Sequence, residues 1–187
     1  MMLEKMPKNS LISLVEFFKN VGQLKGISRA GWVKVGIKSP ESVADHTFRT
    51  ALLCMIFSSL EGLDELKMLQ MALLHDLPEV IIGDLTPSEK NKVNKNSEEN
   101  AMKKLLSFLP KEIRGKYLEI WHEYAIGETT EAKIVRQLEK LEMVLQAREY
   151  EETAVAREGL KTFIESGEES IRSPAVKTLF SCILSSV

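Results

Sequence analysis

The chain has 187 residues, of which 44% are hydrophobic and 28% are charged, a composition typical of a folded globular protein and not of a disordered one. Its formal net charge of -2 gives no general electrostatic reason to bind a nucleic-acid polymer or an anionic membrane. The length predicts one domain spanning residues 1–187, and a small anionic substrate stays open because one positive pocket can exist on a nearly neutral protein.

The first predicted helix occupies residues 10–21, where apolar side chains recur at three- and four-residue spacing. Four glycines between residues 22 and 36 then predict an irregular segment. The sequence SPE at 39–41 predicts the start of a long helix, because serine favours the N-cap and proline favours the first helical position. We expect that helix to reach about Leu60 and to end at Gly62.

A helix beginning near Leu63 leads to the histidine-aspartate pair at 75–76, and Pro78 is expected to end or kink it there. The sequence TPSE at 86–89 fits a capping box with proline at the first helical position, which predicts another helix start. The polar run over 88–100 is typical of a solvated helix face or a mobile segment.

Further helices are predicted at 97–109, 111–125 and 129–153, with others after 155 and after 174. The segment 129–153 gives the clearest signal, since its apolar residues form a continuous stripe at helical spacing. Strand signals do not recur, and no Pro/Gly/Ser-rich linker divides the chain. The prediction is an all-α fold in a single domain, a helical bundle whose motif-bearing core spans about 15–152 and whose C-terminal helices span 155–187.

The two cysteines, Cys54 and Cys182, each lie among apolar residues, which predicts two buried thiols in a reducing compartment. The N-terminal segment lacks the charged lead, long apolar run and cleavage site of a secretory signal. No apolar stretch approaches the roughly 18 residues needed to cross a bilayer. We therefore expect a cytoplasmic protein without a membrane segment.

Only three histidines occur in the chain, and His75 is followed directly by Asp76 on an otherwise apolar helix. Burying an imidazole beside a carboxylate costs free energy unless each has a partner, and a divalent metal ion is one such partner. His46 lies in comparable surroundings on the preceding helix. A satisfied core histidine is the alternative interpretation, but Glu79 and Asp84 add further acidic groups just after the proline break, which favours a metal site.

Three segments resemble the HD-domain phosphohydrolases: ADH at 44–46, LLHDLPEVIIGDLTP at 73–87 and QLEKLEMVLQAREYE at 137–151. Within that superfamily they most resemble the 5'-deoxynucleotidases, and VGQLKGISRAGW at 21–32 fits the same family. The match to HD-x-x-E-x-x-x-G-D is more specific than the histidine-aspartate pair alone. The resemblance implies a helical HD domain that hydrolyses deoxynucleoside 5'-monophosphates to a deoxynucleoside and phosphate.

The resemblance also implies one divalent metal ion held by His46, His75, Asp76 and Glu139. The family has aspartate at the fourth position, so Glu139 is a departure whose extra methylene moves the carboxylate by about one bond length, against ligand distances of about 2.0–2.2 Å. Glu142, one turn further on, is the alternative fourth ligand. The ion remains open among manganese, cobalt, magnesium, iron, zinc and nickel.

The resemblance assigns substrate roles as well. Glu79 matches the acidic residue that orients or deprotonates the attacking water, and Asp84 matches one that contacts the sugar and disfavours a ribose 2'-hydroxyl. Arg29 and Trp32 match substrate-pocket residues, with the arginine near phosphate. A solvated arginine and a core-edge tryptophan are the alternatives for these two. His122 matches no motif and is expected at the surface or the core edge.

Three other functions stay open on the sequence. One is an HD-domain hydrolase of a cyclic nucleotide, an alarmone or a nucleoside triphosphate. Another is a metal- or nucleotide-binding protein with little turnover, which the glutamate at 139 motivates, and the third is a helical scaffold with incidental polar residues. The resemblance further implies a homodimer, for which the apolar segment TLFSCILSSV at 178–187 is a candidate interface, although the same segment suits a cap over the monomer's own core.

Overall fold

The computed structural model describes residues 3–90, 96–153 and 157–185. Over these ranges the chain is helical apart from its connections and one isolated antiparallel bridge between Ser28 and Ser42, so the all-α prediction is confirmed. The helices are α1 (Lys8–Gly22), α2 (Ala30–Lys34), α3 (Val43–Glu61), α4 (Glu65–Leu74), α5 (Glu79–Ile82), α6 (Pro87–Lys90), α7 (Ser97–Leu106), α8 (Lys111–Ile126), α9 (Thr130–Thr153), α10 (Arg157–Ser170) and α11 (Pro174–Ser185). None of these described helices combines the length and hydrophobicity needed to cross a bilayer.

Helix α3 begins later than predicted. Ser42 is its N-cap: the Ser42 Oγ accepts a hydrogen bond of 3.1 Å from the Asp45 N–H, and the Asp45 carboxylate accepts one of 2.9 Å from the Ser42 N–H. The predicted start at 39–41 was wrong because a capping box needs a carboxylate three residues after its serine, and Ser42 has one where Ser39 does not. The predicted end is confirmed, since Gly62 adopts a left-handed φ of 68°.

The break around the histidine-aspartate pair is also confirmed. Helix α4 starts at Glu65 behind an Asp64 cap and ends at Leu74, and Pro78 directly precedes the short helix α5. Helix α6 begins at the proline of the TPSE sequence, whose threonine N–H donates to the Glu89 carboxylate at 2.9 Å. Residues 91–95 of the polar run lie outside the described residues, and α7 ends at Leu106 instead of 109.

Helix α9 is the centre of the bundle and packs against α3, α4, α8, α10 and α11. Its Leu138 and Leu141 are fully buried in the main core, as the apolar stripe predicts. Helix α4 contributes methionines to that core and leaves Leu66 and Leu73 exposed. Because α3, α4 and α9 share this core, they fix the relative positions of the polar residues that they carry.

The C-terminal helix α11 turns Val176 and Phe180 into the main core. Cys54 is buried on α3, but Cys182 is exposed, so the prediction of two buried thiols is wrong for the second. Because Cys182 is two residues after Phe180 on the same helix, its side chain points to the opposite side of α11. Of the two interpretations of this segment, its packing on α9 agrees with a cap over the monomer's own core.

Candidate active site

Side chains from α3 and from the end of α4 converge at one buried point. The Nε2 atoms of His46 and His75 are 3.4 Å apart, and Asp76 Oδ2 lies 3.0 Å from His75 Nε2 and 3.8 Å from His46 Nε2. Both histidines are almost inaccessible to solvent, with exposed fractions of 0% and 6%. The structure therefore brings together three of the four side chains that the sequence assigned to a metal.

The other nitrogen of each ring is already engaged. His75 Nδ1 donates to the Ala72 carbonyl at 2.6 Å, and His46 Nδ1 donates to the buried Glu142 carboxylate. These partners fix the orientation of each ring, so that the Nε2 atoms of both imidazoles point towards Asp76. Burial opposes the charges of His75 and Asp76, but their mutual attraction outweighs it, so the pKa of His75 is raised and that of Asp76 is held far below its usual range.

The three converging atoms fit a divalent cation. Three atoms with separations of 3.4, 3.0 and 3.8 Å share a point about 2.0 Å from each, close to the bond length between zinc and an imidazole nitrogen or carboxylate oxygen. Two imidazoles and a carboxylate are a donor set that first-row divalent metals favour. A second group of compatible donors, Glu41, His46 and Glu142, uses the other side of the same imidazole.

Glu142, the alternative fourth ligand, lies behind His46 and is fully buried. One of its carboxylate oxygens accepts from His46 Nδ1, and the other accepts from Arg49 Nε at 2.8 Å. Burial raises the pKa of a carboxyl group, but these two donors outweigh it, and the pKa of Glu142 is lowered. A carboxylate in this position orients the imidazole and increases the basicity of its Nε2.

Glu139, the predicted fourth ligand, lies beside the three-residue group and not within it. Its Oε2 accepts a hydrogen bond of 2.9 Å from the Tyr124 hydroxyl, and its Oε1 lies 3.2 Å from Lys140 Nζ. Burial raises the pKa of Glu139, but Lys140 and then His75 outweigh it, and the pKa falls to about 2. Glu139 is thus an ionised carboxylate that Tyr124 of α8 anchors next to the cluster.

Arg29 lies between two carboxylates. Its Nη1 is 3.2 Å from Asp76 Oδ2 and 3.4 Å from Asp84 Oδ1. Burial works against the positive charge, but Asp76 and Asp84 outweigh it and raise the pKa of Arg29, so the guanidinium stays charged. Asp84 also accepts from the Ala30 N–H at 2.6 Å, which ties the start of α2 to the turn at Gly83. The alternative of a solvated Arg29 does not hold, because only 15% of its side chain is exposed.

Trp32 is a core residue with one face towards a cavity. Its indole N–H donates to Glu41 at 2.9 Å, and its ring centroid lies 4.1 Å from that of Phe163 and 5.4 Å from that of Tyr150. Burial and then Glu142 raise the pKa of Glu41 to about 7. The packing agrees with the core-edge alternative, and the residue also lines a substrate-sized space.

Two cavities meet at the cluster. The first, named here the tryptophan cavity, measures about 510 Å³ and is lined by Arg29, Trp32, Asp84, Met143 and Phe163. The second, named here the cationic cavity, measures about 610 Å³ and is lined by His75, Tyr124, Lys133, Arg136 and Gln137. Both are also lined by Asp76, Glu79, Glu139 and Lys140. The volumes are in the range of small-molecule sites.

Glu79 begins α5, and its N–H donates to the Asp76 carbonyl at 3.0 Å. Glu79 is 3% exposed, and its negative charge contributes to the raised pKa of Arg29, behind the larger effects of Asp76 and Asp84. A buried carboxylate at the junction of two cavities is well placed to exchange a proton with a small molecule held there.

Sequence reasoning missed Tyr124. Its ring lies 5.6 Å from that of His75, and burial and then Glu139 raise its pKa well above the usual value, so its hydroxyl remains a donor. The sequence around it, IWHEYAI, contains no signal that separates it from a packing residue. His122, two residues earlier, is partly exposed and 3.5 Å from Glu99, which confirms its predicted place at the surface or the core edge.

Comparisons with known proteins identify the family of this chain. The HD domain family model matches residues 21–177. Human 5'-deoxynucleotidase HDDC2 is 37% identical over 171 residues, which cover 90% of this chain and 83% of that protein. The crystal structure of the PH0347 protein from Pyrococcus horikoshii OT3 aligns with a TM-score of 0.76 and 34% identity, over 91% of this chain and 96% of that one. The cyanophage S-2L HD phosphohydrolase DatZ, bound to dA and one catalytic Zn²⁺, aligns with a TM-score of 0.57 at 20% identity, over 87% of this chain and 91% of that one, a likeness of fold.

Proposed function

This chain belongs to the HD-domain family, and we propose that it is a metal-dependent 5'-deoxynucleotidase, which hydrolyses deoxynucleoside 5'-monophosphates to a deoxynucleoside and inorganic phosphate. The observation that carries the proposal is the convergence of His46, His75 and Asp76 at the junction of two cavities. The name of the human relative supports the substrate class. We include residues 1–187 in one HD domain.

We assign one divalent ion to His46, His75, Asp76 and Glu139, with Glu142 orienting the first imidazole. A bound divalent ion would polarise the phosphoryl oxygen and lower the pKa of the attacking water. Manganese, cobalt, magnesium, iron, zinc and nickel are all compatible with nitrogen and oxygen donors of this kind, and metal add-back distinguishes them.

The remaining roles follow from position around the tryptophan cavity. Arg29, which contacts Asp76, neutralises phosphate oxygens by donating from its guanidinium. Glu79 accepts a proton from the attacking water, and the leaving 5' oxygen of the sugar gains one as the bond to phosphorus breaks. Trp32 forms an apolar wall for the nucleoside. Asp84 contacts a sugar hydroxyl. Its carboxylate is already fixed in place by Arg29 and by the Ala30 N–H.

The proposed activity is tested by phosphate release from metal-stripped protein, assayed with deoxy- and ribonucleoside 5'-monophosphates while each candidate metal is added back. We expect release only with metal, and faster by at least about tenfold from the deoxy substrates, because a misplaced hydroxyl beside a fixed polar group is costly. Cyclic nucleotides, alarmones and nucleoside triphosphates form the comparison panel. Absence of release from folded protein with every metal would overturn the proposal, and faster release from the comparison panel would replace the substrate class.

We also propose that two copies of the chain associate in solution through α3. This helix exposes Phe48, Leu52, Ile56 and Leu60 with exposed fractions of 66%, 38%, 56% and 78%, at four-residue steps that place them in one apolar row. Such a row marks an interaction surface, and a second copy presents the same row, as a two-fold interface requires. A free nucleotide is the other partner, and the net charge of -2 favours no nucleic-acid polymer. We place the protein in the cytoplasm, because its two cysteines are not joined in a disulfide.

Light scattering at micromolar concentration tests the dimer. We expect a molar mass of twice the single chain, and we expect Ile56→Glu to halve it, because a charge in the middle of the apolar row must be desolvated on association. Lys116→Glu, a substitution at an exposed position of α8, serves as the control and is expected to leave the mass unchanged. A parent protein with the mass of one chain, or an Ile56→Glu variant that still pairs, would show that α3 is not the interface.

A further inference from the structure

The cationic cavity is a second approach to the junction at Asp76, and we propose that it binds inorganic phosphate and is the path by which this product leaves. The inference rests on the proposed phosphomonoesterase activity, and it assigns separate routes to the two products. The deoxynucleoside leaves through the tryptophan cavity, and the phosphate leaves past α9.

One face of α9 provides the positive charge. Lys133, Arg136 and Lys140 are three and four residues apart, so they lie on one side of the helix, and all three line the cationic cavity. His75, Asp76 and Glu79 line the same space. The row of cations therefore leads from the rim of the cavity to the cluster.

Two of these cations have no acidic partner within the described ranges of the chain. Lys140 pairs with Glu139, whereas the Lys133 and Arg136 side chains are exposed and make no ion pair or hydrogen bond with the described residues. Glu98 is the acidic residue that lines this cavity away from the junction. Cations concentrated on one wall of a concave site raise the local concentration of small anions.

Gly127 leaves room for Arg136 at the rim. This glycine ends α8 with a left-handed φ of 73°, and a Cβ atom there would overlap the Arg136 guanidinium. The absence of a side chain lets the Arg136 guanidinium lie directly over the end of α8, beside Tyr124. Its positive charge lowers the pKa of Tyr124, although burial and Glu139 raise that pKa by more. Arg136 therefore lies over the end of α8, at the exposed rim of the cavity.

The in-line geometry of the reaction indicates which molecule each cavity holds. The water oxygen bonds to phosphorus as the bond from phosphorus to the sugar 5' oxygen breaks, roughly in line with it. One proton of the water is transferred to that sugar oxygen, and phosphate keeps the new oxygen. When the nucleoside occupies the tryptophan cavity, the side of the phosphorus opposite the sugar faces the cationic cavity at the shared junction. Water therefore arrives from the cationic cavity, and phosphate leaves through it.

The test compares a Lys133→Ala/Arg136→Ala double variant with the parent and with Lys116→Ala, which removes one exposed positive charge on α8 away from both cavities. Inorganic phosphate is the probe, titrated calorimetrically into metal-loaded protein, and its inhibition constant is measured with a deoxynucleoside monophosphate as substrate. We expect both constants for phosphate to rise at least about fivefold in the double variant, since two charge-assisted contacts are lost, while KM and metal affinity change less than about twofold. The Lys116→Ala control is expected to match the parent.

An unchanged phosphate constant in the double variant overturns the inference. A KM that rises by the same factor as the phosphate constant also overturns it, because the two cations would then serve the substrate's phosphate and not a separate exit. The direct titration needs no turnover, so phosphate binding that depends on Lys133 and Arg136 in a protein without nucleotidase activity would retain the anion site and reject the proposed function.

Discussion

Replacement of Asp76 by asparagine is expected to lower affinity for divalent metal at least about 100-fold and to remove metal-dependent phosphate release. Changes in groups that merely orient a ligand cost roughly 10- to 100-fold, so loss of a ligand costs at least as much. Asp76 Oδ2 lies 3.0 Å from His75 Nε2 and 3.8 Å from His46 Nε2, and it also contacts Arg29. A neutral amide keeps the shape of the side chain but supplies neither the charge nor a second carboxylate oxygen.

Metal titration of stripped protein measures the first effect, and phosphate release at saturating metal measures the second. Asp64→Asn is the matched control, since it makes the same chemical change at the other end of α4, where asparagine caps a helix as well as aspartate does. Unfolding midpoints of the metal-free proteins establish that the variants fold. If Asp76→Asn binds metal as tightly as the parent, the three-residue cluster does not hold the ion.

Helix placement could be predicted wherever the signal was local. Gly62 ends α3 because glycine tolerates a left-handed conformation. Pro78 prevents α4 from continuing into α5 as one regular helix because proline lacks an N–H. The start of α3 was misplaced because two serines, Ser39 and Ser42, compete for the cap. The N-cap preference of a single serine does not separate them, whereas the carboxylate three residues after Ser42, on Asp45, does.

The cluster itself depended on tertiary packing. His46 and His75 are 29 positions apart, and periodicity alone did not establish that their rings meet; the resemblance to a family supplied that expectation. The direction of each ring depends on groups that no motif identified for this purpose, namely the Ala72 carbonyl and Glu142, the latter 96 positions from His46. Glu142 was considered as a ligand, and its observed contacts are with His46 and Arg49.

Glu139, which stands where the family has aspartate, has a hydrogen-bond partner that the sequence did not reveal, the Tyr124 hydroxyl. Tyr124 comes from α8 and reaches Glu139 because α8 packs against α9, and the register of that packing is set by core side chains and not by either segment alone. The longer glutamate therefore has a specific anchor. This contact holds the ionised Glu139 carboxylate beside the cluster.

Replacement of Glu79 by glutamine is expected to lower turnover about 10²- to 10⁴-fold at saturating metal, the usual contribution of a positioned general base. Glutamine keeps the volume of a side chain that is 3% exposed, but it accepts no proton at neutral pH. Because Glu79 is not among the three converging donors, metal affinity is expected to stay within about threefold of the parent. The two quantities thus separate a proton acceptor from a ligand.

The measurement is phosphate release from one deoxynucleoside monophosphate under saturating metal, with a metal titration of the same preparation. Glu119→Gln, at an exposed position of α8, is the matched control and is expected to retain the parent's turnover. Intact turnover in Glu79→Gln would remove Glu79 from the role of base. A parallel fall in metal affinity and turnover would instead place its carboxylate in the ligand set, so proton acceptance would pass to another group at the junction of the two cavities.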